Sequence, residues 1–159
     1  MGLQDAVEFV KFRNTMAIVV VVAGIVILFF FPQTYLPLAT GLSILWGEMA
    51  LGIAASITAH LLTLRAVAMK GVEIEQNPYT KRMLQRENFH MLWGFYALMV
   101  AAGVFLTMTS INQGGVWMGV LVLLLAFPVL TLYDVLNDVV WLRRFENENQ
   151  SPESVSFKQ

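Results

Sequence analysis

Five side chains carry chemistry into otherwise apolar surroundings: Glu48, His60, His90, Asp134 and Asp138 each stand within a long hydrophobic run. An ionisable group in such a run is costly to bury, so each calls for a partner or a task. His60 lies five residues before Arg65, His90 four residues after Arg86, and Asp138 five residues before Arg143. At ~1.5 Å of rise per helical residue, these three share nearly one depth. Three helices facing one another there would bring His60, His90 and Asp138 together. Asp134, one turn deeper on the face of Asp138, would join them. Two histidines and a carboxylate form a ligand set for iron and other first-row metal ions. Two histidines on facing helices also hold a b-type haem. Asp134 and Asp138 are a like-charge pair at i,i+4, unfavourable unless one is protonated or a cation lies between them. The plainer expectation is a structural polar cluster with no cofactor. In it a histidine bonds an aspartate, a backbone carbonyl or water, and the aspartates pair with Arg65, Arg143 or a histidine. A bound metal ion or haem is the alternative.

Glu48 differs in depth. It lies about ten residues into the second apolar run, counted from the end opposite Arg65, nearer the middle of a bilayer. Gly52 and Ser56 follow it at steps of four, flanked by Ala55 and Ala59. Small residues at that spacing let helices approach closely. The pattern predicts that Glu48 faces a packed seam, either as a protonated acid bonded across helices or as a carrier of protons or ions. Gly94, Ala101 and Ala102 give the third run its own small face. Pro128 should kink the fourth run and free the carbonyl of Leu124.

Other chemistry is excluded by inventory. The chain has no Cys, which removes disulfides, thiolate metal sites, iron–sulfur clusters and cysteine nucleophiles. No phosphate-cradling glycine loop, dinucleotide fingerprint, zinc-protease motif or Gly-x-Ser-x-Gly elbow occurs. Two histidines are too few for a multi-haem cytochrome, and neither lies in a paired-histidine motif. The nine methionines are scattered and read as packing, not as copper ligands. Ten basic against eleven acidic residues leave no basic excess to draw nucleic acid.

The elements that must position these groups are membrane spans. Of the 159 residues, 57 % are apolar and 13 % charged, with mean hydropathy +0.65. Soluble domains are nearer half apolar and a quarter charged. Four continuous apolar stretches are long enough, at about 20 residues per bilayer crossing, to span as helices: about 15–31, 38–64, 90–110 and 116–142. All ten Lys and Arg residues fall before the first span, between the second and third, or after the fourth. The positive-inside rule then places both termini in the cytoplasm. The expected fold is an all-α polytopic integral membrane protein with four transmembrane helices.

Residues 1–14 read as an amphipathic cytoplasmic segment, either lying on the membrane surface or extending the first span. The first span is longer than a signal-peptide core and is followed by no cleavage pattern. The loop 65–89 is the one sizeable cytoplasmic connection. Gly71 stops the second helix, and Asn77 with Pro78 starts the third well before the membrane. The polar tail 146–159 has too little apolar content to bury. The first and second pairs of spans do not echo each other in sequence.

The leading functional expectation is a non-catalytic subunit or membrane anchor of a larger multi-subunit membrane complex, of respiratory or membrane-oxygenase type. It follows from small size, short outer loops and the lack of a catalytic motif. Its partners would be the lipid bilayer and other membrane subunits, and its location the cell membrane. One alternative is a redox or metal protein using His60 and His90 with Asp134 and Asp138. The other is a proton- or ion-coupled carrier centred on Glu48, an idea weakened by the absence of paired broken helices.

Overall fold

The computed structural model describes the backbone of residues 3–75, 78–86 and 90–150, and the side chains of residues 12–75, 80–86 and 93–147. Among the described residues the regular elements are helices and two three-residue strands. In order these are α1 (Leu3–Phe30), β1 (Tyr35–Pro37), α2 (Leu38–Lys70), α3 (Pro78–Gln85), α4 (His90–Gln113), β2 (Gly115–Trp117) and α5 (Met118–Gln150). Four helices are long and apolar enough to cross a membrane, over Phe12–Phe30, Leu38–Lys70, Trp93–Gln113 and Met118–Asn147.

Local sequence explains most of the boundaries. Gly71 ends α2 with φ at +88°, a left-handed conformation open to glycine, and its N–H bonds the Val67 carbonyl at 2.8 Å. The segment 1–14 is continuous with the first span from Leu3 onward, so one helix carries both. The helix expected to run from Pro78 into the membrane is instead two. The polar α3 stops at Gln85, and α4 starts at His90. An ion pair from Lys81 to Glu73 ties α3 back to the turn at Val72–Ile74. Asn77 lies outside the described residues. At the other end, α5 continues past Phe145 to Gln150. Glu146 extends the helix there by pairing with Arg65 at 2.7 Å. Residues 151–159 of the tail lie outside the described residues.

The strands were not foreseen. β1 pairs antiparallel with β2, with Leu36 opposite Val116, and the Met118 N–H bonds the Thr34 carbonyl at 3.0 Å. Each strand leads directly into a 33-residue helix. α2 and α5 leave the ladder side by side, and the contacts of Gly41 with Val116, Gly52 with Phe127 and Thr63 with Asp138 show that they run in the same direction. The two halves of the chain repeat a helix–strand–helix order that their sequences do not display.

α5 packs chiefly against α2 and α1, and α2 also receives α4. The core sits at the ladder end: Leu45, Met49, Val116 and Leu121 are buried, with Leu42, Met99, Leu106 and Leu124 packed around them. Close approach makes up for the weak drive to bury apolar surface in lipid. A Cβ placed on Gly52 would lie 2.3 Å from the Phe127 ring, and one on Gly24 would lie 2.6 Å from the Leu123 side chain.

Candidate functional site

Asp134 and Asp138 go to separate contacts. On α5, Asp134 accepts a hydrogen bond from Arg13 of α1, with Nη1 and Oδ1 2.5 Å apart. Phe12 stacks near Tyr133 beside that pair, ring centroids 5.8 Å apart. Asp138, one turn on, turns instead toward α2, where Thr63 Oγ1 donates to Oδ2 at 3.0 Å. The two carboxylates thus serve two different helix interfaces, and an arginine beside one of them relieves their mutual repulsion. Arg13 was not foreseen as the partner, and Arg65 goes to Glu146.

His60 is half-buried on α2. The side chain of His90 lies outside the described residues, although its backbone opens α4. Among the described residues, no three His, Cys, Asp or Glu side chains gather as a metal site. The observed partners of Asp134 and Asp138 are Arg13, Thr63 and Asn137, none of which is a metal ion's usual protein ligand.

Among the described residues, Glu48 and the indole N–H of Trp117 are exceptions to this pairing. The Oε2 of Glu48 is buried and has no hydrogen-bond partner. Helical spacing fixes the side it faces. Glu48 falls within one turn-step of Gly41, Gly52 and Ala55 on the wheel of α2. Gly41 abuts Val116, and Gly52 abuts Phe127, so this is the side turned toward β2 and α5. Trp46, Met49 and Ser56 form the neighbouring side, which meets α4. There the Trp46 Nε1–H donates to Thr107 Oγ1 at 3.1 Å, and Ser56 Oγ shares a hydrogen bond with Tyr96 Oη at 3.0 Å. Met49 packs where Gly103 lacks a side chain. The small residues beside Glu48 therefore line a real seam, as their spacing predicts.

The seam around Glu48 is apolar and free of charge. α1 from Met16 to Phe30, α4 from Trp93 to Gln113 and α5 from Met118 to Tyr133 carry no Asp, Glu, Lys, Arg or other His. A buried ionised carboxylate with no counter-charge is strongly disfavoured. Glu48 as a whole is half-buried, and its enclosed Oε2 favours a proton or a cation at that oxygen. In comparisons with family models, with curated proteins and with solved structures, the chain matched nothing.

Proposed function

We propose that the chain is a four-span integral protein of the cell membrane, with both termini cytoplasmic, that binds and passes a proton or small cation at Glu48. The observation that carries this reading is the buried, unpaired Oε2 of Glu48 in an uncharged seam. An acid that takes up and releases a positive charge has a use for such a place, and a purely structural acid would be expected to hold a counter-charge or a side-chain donor. The orientation is supported by the distribution of basic residues. Arg13, Arg65, Lys70, Arg143 and Arg144 all lie toward the helix ends away from the β1–β2 ladder.

The test is ion flux in proteoliposomes holding the purified chain. Under an imposed potential, the wild type is expected to acidify or load the lumen, and Glu48→Gln to reduce the rate at least tenfold. Equal rates for the two would overturn the carrier reading.

A second reading is the non-catalytic subunit or anchor of a larger membrane complex. It is favoured by the one-sided packing of α4. That helix rests on α2 while Trp93, Leu98, Phe105 and Met108 point outward, each at least 63 % exposed, around an open Gly94. Native mass spectrometry of the tagged chain, extracted gently from its own membrane, separates the two. Stoichiometric foreign subunits support the anchor reading, and a lone chain or homo-oligomer counts against it. The same spectrum carries the haem or metal reading of His60 and His90, as added mass that is lost in His60→Ala.

A further inference from the structure

Three contacts set the register of α2 against the continuous segment β2–α5. Gly41 abuts Val116, Gly52 abuts Phe127, and Thr63 bonds Asp138. Successive contacts are eleven residues apart on both chains, about three helical turns, so the two helices run parallel and level. Glu48 lies four residues before Gly52, and Leu124 three before Phe127. Glu48 and Leu124 thus stand within one residue, about 1.5 Å, of the same height in the same interface. Leu124 packs against the core cluster that holds Leu45 and Met49, the residues on either side of Glu48 on α2.

At that height α5 is short of one donor. Pro128 stands inside the helix and has no N–H for the carbonyl of Leu124, four residues earlier. Water cannot easily supply it, because Pro128 is among the most fully buried side chains. The next carbonyls are served locally: Thr131 Oγ1 donates to Phe127 O at 3.0 Å and to Pro128 O at 3.2 Å. Leu124 has no such side chain behind it. The seam therefore sets a carboxyl group that lacks a partner level with a carbonyl that lacks a donor.

We infer that the ion at Glu48 is a proton, held by a hydrogen bond from the protonated carboxyl to the Leu124 carbonyl that Pro128 leaves free. The inference rests on the carrier reading of Glu48 and names its ion. A protonated carboxyl supplies one donor, and Pro128 exposes one acceptor. A metal cation would need several oxygen ligands, whereas the surrounding seam offers Gly, Ala, Leu, Met and Phe. Pro128 is in this scheme a positioning residue: it touches no ion but creates the acceptor.

The experiment is infrared spectroscopy of the full chain in lipid at neutral pH, reading the carbonyl stretch of protonated carboxyl groups. The wild-type-minus-Glu48→Gln spectrum is expected to show one such band. Pro128→Ala restores an N–H to the Leu124 carbonyl, so the band should move to higher frequency as its hydrogen bond weakens. No band in the difference spectrum overturns the proposal. So does a band that Pro128→Ala leaves in place, or one that saturating sodium abolishes at constant pH. If Pro128→Ala fails to fold, the wild type labelled with carbon-13 at leucine carbonyls gives the same answer. Ionising Glu48 should shift the Leu124 resonance, and an unmoved resonance refutes the bond. Flux is scored separately: a band that responds to Pro128→Ala in a chain that moves no protons upholds the site and rejects the carrier.

Discussion

At the scale of single residues, this chain spends its polar groups on joining helices. Ser56 with Tyr96 and Trp46 with Thr107 fasten α4 to α2, and Arg13 with Asp134 fastens α1 to α5. Side-chain hydrogen bonds between membrane helices average about 0.6 kcal/mol and reach about 1.7. Tyr96→Phe is accordingly expected to lower stability by about 0.5–1.5 kcal/mol, with Ser56→Ala adding little on top of it, because one bond joins the two hydroxyls. A double-mutant cycle in reversible mixed-micelle unfolding measures this, and fully additive losses would show that the two residues are not coupled. The ion pair is more exposed, with 44 % of the Asp134 side chain accessible, which limits its contribution to about 1 kcal/mol or less. Asp134→Asn should therefore leave the fold intact in the same assay, whereas a collapse of the helical signal would mean that Arg13 is more deeply desolvated than its surroundings indicate.

At the scale of elements, close approach decides where side chains are allowed. Gly52 lies against the Phe127 ring, while Gly47, on the other side of the same helix, has nothing within 4 Å of an added Cβ. Gly52→Ala should cost about 1–3 kcal/mol through overpacking, and Gly47→Ala should gain about 0.5–1 kcal/mol through helix propensity. Opposite signs on one helix, read by thermal unfolding in detergent, check the seam directly, and like signs would remove α5 from that face. The seam was legible beforehand, because glycine and alanine at helical steps beside Glu48 have one common physical use. The spans were legible for a similar reason: a lipid-crossing helix needs a long uninterrupted apolar run. Two things were not. Three residues are too few for strand alternation to show in β1 or β2, and only the pairing across the two loops reveals them. Depth counting set His60, His90 and Asp138 level, with Asp134 one turn deeper, but carries no information about helix rotation. Rotation sends Asp134 to α1 and Asp138 to α2.

At the scale of the whole molecule, the two ends are built differently, and the difference bears on direction across the membrane. One end is closed by the β1–β2 ladder, with Tyr35 and Trp117 in ring contact, centroids 6.1 Å apart, where an outer aromatic belt would lie. The other end carries Arg65 on Glu146, Lys81 on Glu73, and Lys70 over the Phe145 ring, so charge is concentrated there. Translocating the ladder end requires moving no Lys or Arg through the bilayer, whereas translocating the opposite end would require moving many. The ladder end should therefore face outward, and Glu48, in the first third of α2, should lie nearer to it than to the cytoplasm. Because the chain has no cysteine, a single introduced one reports its own side. Gln33→Cys, between α1 and β1, is expected to react with a membrane-impermeant maleimide on intact cells. Glu75→Cys, just after α2, should react only after the membrane is opened. The reverse pattern would invert the topology, turn the short path to Glu48 toward the cytoplasm, and reverse the direction in which an imposed proton gradient first loads that site.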